Sequence, residues 1–171
     1  MTTQQIMILG IGNMLFTDEG FGVHAVEALQ RRYSFPENVS VVDGGVLGIH
    51  LLGVISQADE LIVVDAIRSR GKPGDLYRLA GDAIPQRIRA KNSLHQLDFL
   101  ETLTLCQALD KVPETVIVGV EPEDIETLGV EMTPLIQSKI DPVIAMILAE
   151  LDRLGVPYAE GEAKNVPCDP L

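Results

Sequence analysis

A chain of 171 residues, 46% hydrophobic and 22% charged, is long enough for one domain around a sizeable core and shows no long linker that would divide it. Its net charge of −12 excludes a phosphate-rich partner, since binding to nucleic acid or an anionic membrane rests on clustered Lys and Arg. The opening "MTTQQIMILGIGN" lacks a positive leader, and its apolar run is too short and too interrupted by glycine for a signal peptide or membrane span, so a cytoplasmic location is expected.

In chain order, "IMILGIG" (6–12), "VSVVD" (39–43), "LIVVDA" (61–66) and "TVIVGVEP" (115–122) are short β-branched or aliphatic runs, most of them ending at a turn or polar residue. Separated by helical patterns, they predict buried parallel strands covered on both faces. "GDLYRLA" (74–80) alternates more and follows the turn "GKPG", which predicts an edge strand of antiparallel sense. Helices are predicted over 20–33, near 47–57, over 95–110 and near 133–154, where apolar residues recur every three or four positions, as in Val23, Val26 and Leu29 or Leu97, Leu100 and Leu103. The pattern implies a single α/β domain of three layers, α/β/α, over residues 1–155. The segment 156–171 has little to bury and is expected to be a disordered polar tail.

In an open α/β sheet, ligands bind beyond the carboxyl ends of the strands, and this sequence gathers acids there. Asp18 and Glu19 follow the first strand, Asp43 ends the second and Asp65 ends the third. His95 opens a helix, with Ser93 and Gln96 in the S-x-x-Q capping spacing; a helix N-terminus disfavours imidazolium and keeps the ring in its ligating form. Each residue has an ordinary reading too. Asp18 and Glu19 suit the first turn of a helix, Asp43 suits a glycine turn, and His95 suits a capped surface position. Asp65 is harder to set aside, because a carboxylate beside a buried core needs a partner. Carboxylates at three successive strand ends plus one histidine make a candidate oxygen-and-nitrogen metal site. His24 and His50 lie in apolar helical contexts and read as packing or surface residues. Cys106 and Cys168 form neither a disulfide framework nor a zinc knuckle.

"GIGNML" also opens like a dinucleotide-binding G-x-G-x-x-G, with Asp43 where a ribose-binding acid would stand, so a nucleotide-dependent oxidoreductase is one alternative. Against it, Leu15 replaces the third glycine, and Asp18 and Glu19 would repel a pyrophosphate at the helix start.

Taken together, "GIGNMLFTDEGFG", "VVDGG", "VVDAI", "HQL" after a serine, and "GVEP" resemble, in this order, the maturation endopeptidases of [NiFe]-hydrogenases, over about residues 5–154. The resemblance implies a five-stranded mixed sheet with one antiparallel strand. It also implies removal of a C-terminal extension from a hydrogenase large-subunit precursor after nickel insertion. By motif, it assigns the nickel ligands to Glu19, Asp65 and His95 and gives Asp43 functional importance as a base or orienting group. Asp18 is then expected to cap the helix or shape its loop. The nickel is expected to come with the precursor, leaving the isolated protein metal-free or occupied by another divalent metal. A non-catalytic protein that checks nickel loading is the other alternative. Arg68, Arg70 and Lys72 in "IRSRGKPG" are a basic patch that either docks the precursor or is a solvated turn. A monomer is the expected state.

Overall fold

The computed structural model describes residues 3–45, 52–81 and 112–161. The strands are β1 (Ile6–Ile11), β2 (Tyr33–Ser34), β3 (Val39–Gly45), β4 (Glu60–Ala66), β5 (Leu76–Ala80), β6 (Glu114–Val120) and β7 (Ala159–Glu160). The helices are α1 (Phe21–Arg32), α2 (Leu52–Ile55), α3 (Pro134–Gln137) and α4 (Ile140–Arg153), with a 3-10 turn at Thr17–Gly20. The main sheet has five strands in the order β3-β1-β4-β6-β5. All neighbours are parallel except β5, which runs antiparallel on β6 at the edge, as its alternating sequence predicts. No described helix is long and apolar enough to cross a membrane.

Strict alternation divides the sheet residues between two cores. Ile6 and Ile8 of β1, Ile62 and Val64 of β4, and Val116 and Val118 of β6 pack with α1 and α4. Met7 and Leu9, Leu61 and Val63, and Ile117 face the other way, toward Ile55 of α2. Both faces of β1 and β4 are buried, which is why these strands read as unbroken aliphatic runs.

Two expectations need correction. The helix expected near 133–154 is two helices, because Pro142 has no N–H to give to Ser138 and its ring would clash with that carbonyl in a continuous helix. The chain restarts at Ile140, which puts Pro142 in a first turn, where it is tolerated. The chain beyond Gly155 also begins as structure rather than as a loose tail. Val156 is buried in the core, Tyr158 packs edge-on against Tyr33, and β7 pairs antiparallel with β2. Those few apolar side chains find a surface left open at the end of α1. Residues 162–171 and the helix expected over 95–110 lie outside the described residues, as does the start of the one expected near 47–57.

Candidate functional site

Strand order locates the crevice. From β1 the chain passes through α1 to β3 on one side, then returns to build β4 on the other, so the connections part company at the carboxyl ends of β1 and β4. This switch point is where doubly wound sheets bind ligands. Glu19 arrives there from the loop after β1, on the 3-10 turn that packs against β4, and Asp65 arrives at the end of β4 itself.

The approach of these elements depends on glycine. A Cβ on Gly22 would stand 2.2 Å from the Val64 carbonyl oxygen and 2.3 Å from that of Ile11, so only glycine lets α1 lie this close to β1 and β4. Gly12 has φ +147°, and a Cβ there would meet the Glu19 carbonyl oxygen at 2.0 Å. The glycines of "GIGN" and "GFG" therefore serve close packing of the Glu19 turn. The helix start carries Asp18 and Glu19 rather than an anion cradle, and the dinucleotide reading loses its footing.

Asp18 is wholly buried and does not cap α1. Its carboxylate accepts the backbone N–H groups of Glu123 (3.0 Å), Asp124 (2.8 Å) and Thr133 (2.8 Å), and the Thr133 hydroxyl as well. It thus shapes the loop and ties it to the segment after β6. Three further bonds complete the clamp: Asp18 N–H to the Asp124 carbonyl, Thr17 N–H to the Gly129 carbonyl, and the Thr17 hydroxyl to the Thr127 carbonyl. They hold Thr17 at φ +49°, a left-handed conformation that a β-branched residue adopts only under such constraint. The half-buried Glu19 is the next residue but one, so its backbone is fixed on both sides.

Asp65 is 3% exposed and alternates with Val63 and Ile67, which places it on the α2 face of the sheet. On the same face of β6, one step beyond Val120, stands Glu121, also buried. Its Oε2 accepts the Ser69 N–H (2.7 Å) and the Tyr77 hydroxyl (2.8 Å), while its backbone pairs with Gly74 and Asp75. Glu121 therefore pins the loop that follows β4. The motif "GVEP" contains Glu121, but the sequence alone assigns that residue no role. The signal was the one that singled out Asp65, a carboxylate closing an apolar strand. Arg68, Arg70 and Lys72 are exposed on this pinned loop, with Arg70 in the left-handed region at φ +59°.

Asp43 lies on β3 opposite Gly10 of β1, on the far side of β1 from Asp65. Its Oδ1 accepts the Gly45 N–H at 2.9 Å, which makes the glycine turn part of its work. His24 lies on α1, where its Nε2 is buried and has no hydrogen-bond partner among the described residues. His95, the third expected ligand, lies outside the described residues, as do Ser93, Gln96, His50, Cys106 and Cys168. Among the described residues, no group of three or more His, Cys, Asp or Glu is placed to hold a metal ion. The Glu19 turn packs against β4, the strand that carries Asp65, and Asp43 lies on β3, the neighbour of β1 on its other side.

Comparison with known proteins gives a consistent picture. A family model described as hydrogenase maturation protease matches residues 23–150. The chain is 41% identical over 167 residues to the hydrogenase expression/formation protein HupD of Bradyrhizobium diazoefficiens, covering 92% of this chain and 87% of that protein. It is 38% identical over 161 residues to the hydrogenase 2 maturation protease of Escherichia coli, covering 93% of this chain and 98% of the relative. The solved structure of the hydrogenase maturating endopeptidase HybD from E. coli superposes with a TM-score of 0.89 at 36% identity, over 94% of this chain and all of that one.

Proposed function

The chain belongs to the hydrogenase maturation protease family, and on that premise we propose that it is the endopeptidase that removes the C-terminal extension of a [NiFe]-hydrogenase large-subunit precursor, reading the precursor's inserted nickel through Glu19, Asp65 and His95. The observation that carries this reading is the packing of the Glu19 turn on β4, the strand that carries Asp65 near its carboxyl end, at the switch point of the sheet. Asp18 spends its oxygens on loop N–H groups and Glu121 uses Oε2 to pin the β4–β5 loop, so these two acids build the rim on which Glu19 and Asp65 stand.

Two carboxylates and an imidazole, with no thiolate, form an open and fairly hard donor set. Such a set suits a divalent ion shared with ligands that the substrate brings, rather than one held permanently. Glu19, Asp65 and His95 would hold nickel brought by the substrate, which would supply Lewis acidity at the scissile carbonyl or toward a nearby water. The protein's residues do the rest. The fixed backbone about Glu19 and the strand end at Asp65 orient the precursor's tail, which removes much of the entropic part of the barrier. Hydrolysis adds water oxygen to the carbonyl carbon and breaks the C–N bond, and the water's proton ends on the leaving amine. Asp43 is the group we assign to accept and return that proton, or to orient the water.

The proposal extends to a cytoplasmic site of action, where precursor and protease would meet. Ala substitution at Glu19, Asp65 or His95 tests the assignment: each variant, checked for folding by circular dichroism, should leave a nickel-loaded precursor at its full mass. Three folded variants that process at the wild-type rate would refute the site.

A further inference from the structure

Beside the clamp, three large aliphatic side chains stand in solvent: Leu15 is 60% exposed, Leu128 73% and Val130 62%. They are not scattered. Leu128 and Val130 flank Gly129, whose N–H donates to the Leu15 carbonyl and whose carbonyl accepts from Thr17, so all three project from one two-stranded junction. The fold spends a buried carboxylate and a left-handed threonine on holding this junction still. Exposed aliphatic side chains held on one hydrogen-bonded junction mark an interaction surface.

The surroundings say what covers it. From 112 to 138 the chain carries Glu114, Glu121, Glu123, Asp124, Glu126 and Glu131, and no Lys or Arg. Glu123, Glu126 and Glu131 are exposed about the ridge. A second copy of this chain would bring an identical acidic rim against the first, and like charges oppose that pairing. A polypeptide with aliphatic side chains flanked by lysine or arginine fits both the ridge and the rim. Glu19 lies four residues from Leu15 on the same loop, which puts the ridge within reach of a chain bound at Glu19.

We propose that Leu15, Leu128 and Val130 form an exosite that docks a cationic, aliphatic segment of the precursor beside the scissile bond. The proposal rests on the protease reading above for the identity of the partner. It separates binding from chemistry: the ridge holds the substrate, and Glu19 and Asp65 act on it.

The test is steady-state processing of purified nickel-loaded precursor by wild type, by Leu128→Asp/Val130→Asp and by Glu126→Lys/Glu131→Lys, with folding checked by circular dichroism. The apolar variant should raise KM about tenfold or more and leave kcat within about twofold, as expected when exposed anchors are replaced by charge. The charge variant should raise KM about threefold at low salt, with the difference shrinking as salt rises. Should the aspartates unfold the loop, Leu128→Ser carries the same comparison. An unchanged KM in the folded variants overturns the exosite while leaving the protease reading intact. If wild type does not cleave at all, the protease reading fails, and direct binding of the same precursor decides the exosite: loss of binding in the variants supports it, and equal or no binding overturns it. A wild-type dimer that the Leu128→Asp/Val130→Asp variant dissociates would assign the ridge to self-association and overturn the proposal.

Discussion

At the carboxyl edge of the sheet, Asp18 and Glu121 are buried among backbone N–H groups and hydroxyls. On the flank of the molecule, Glu150 of α4 is buried just as deeply but lies between the guanidinium groups of Arg78 and Arg153. The difference is electrostatic. An arginine cancels a carboxylate's charge, whereas a peptide N–H stabilises it and leaves the charge in place. Arginine pairing fastens edge strand β5 to α4 and leaves no negative charge uncompensated there. Amide pairing fastens the loops around Glu19 and Asp65 without bringing in a compensating cation, which suits the proposed use of a shared metal.

Substitutions that separate chemistry from stability sharpen this contrast, and the largest effect falls on activity. Replacing Glu19 or Asp65 with Ala should lower precursor processing at least about a hundredfold, the scale expected when a metal contact is lost. The urea midpoint of the Glu19 variant should fall less than that of Asp18→Ala, since Glu19 is half-buried and Asp18 is wholly buried. Asp18→Ala should lower both. It strands several buried donors and is expected to cost about 3 kcal/mol in urea unfolding, with a fall in processing as the Glu19 turn loosens. If Asp18→Ala were stable and active, the clamp would have no role in presenting Glu19.

The flank should behave in the opposite way. Glu150→Gln is expected to cost about 1–2 kcal/mol, limited because both arginines are about half exposed, and to leave processing unchanged. Hydrogen bonding from Arg78 holds the Glu150 carboxyl below its ordinary value of about 4.5. Its contribution is therefore present above that pH and is lost as pH falls through the lower folded value. Thermal melts across that acid range should show wild type losing stability faster than Glu150→Gln. The smallest effect lies at Glu60, where burial raises the carboxyl above its ordinary value, partly offset by Arg153 and reinforced by Glu114. Here the ionised form is penalised in the fold, so the cost appears as pH rises through the folded value. Glu60→Gln should stabilise the protein by a few tenths of a kcal/mol at neutral pH, provided the bond from Gln4 is retained.

The strands and the crevice are legible because they follow from local patterns. A run such as "LIVVDA" states its burial on two faces and places its one acid at the end where the sheet opens. The two faces of Asp18 are different. As an acid before a helix it looks like a cap, and only the fold brings Glu123, Asp124 and Thr133 to it across more than a hundred residues. For the same reason the short pairing of β7 with β2 is invisible in sequence, since two polar-flanked residues carry no pattern and gain their partner from the end of α1. The break before α4 was legible in Pro142, whose missing N–H rules out an uninterrupted helix. The role of Glu121 was equally open to reading, as a second acid closing an aliphatic strand.

Purified protein incubated with the extended precursor in nickel-loaded and nickel-free forms, with precursor mass followed over time, tests the account most directly. Loss of the extension from the nickel-loaded form alone is the predicted result, and it would place the substrate's nickel in the crevice of Glu19 and Asp65 as the signal for cleavage. Equal cleavage of both forms would contradict that use of nickel, and an intact, demonstrably competent nickel-loaded precursor would contradict the protease itself.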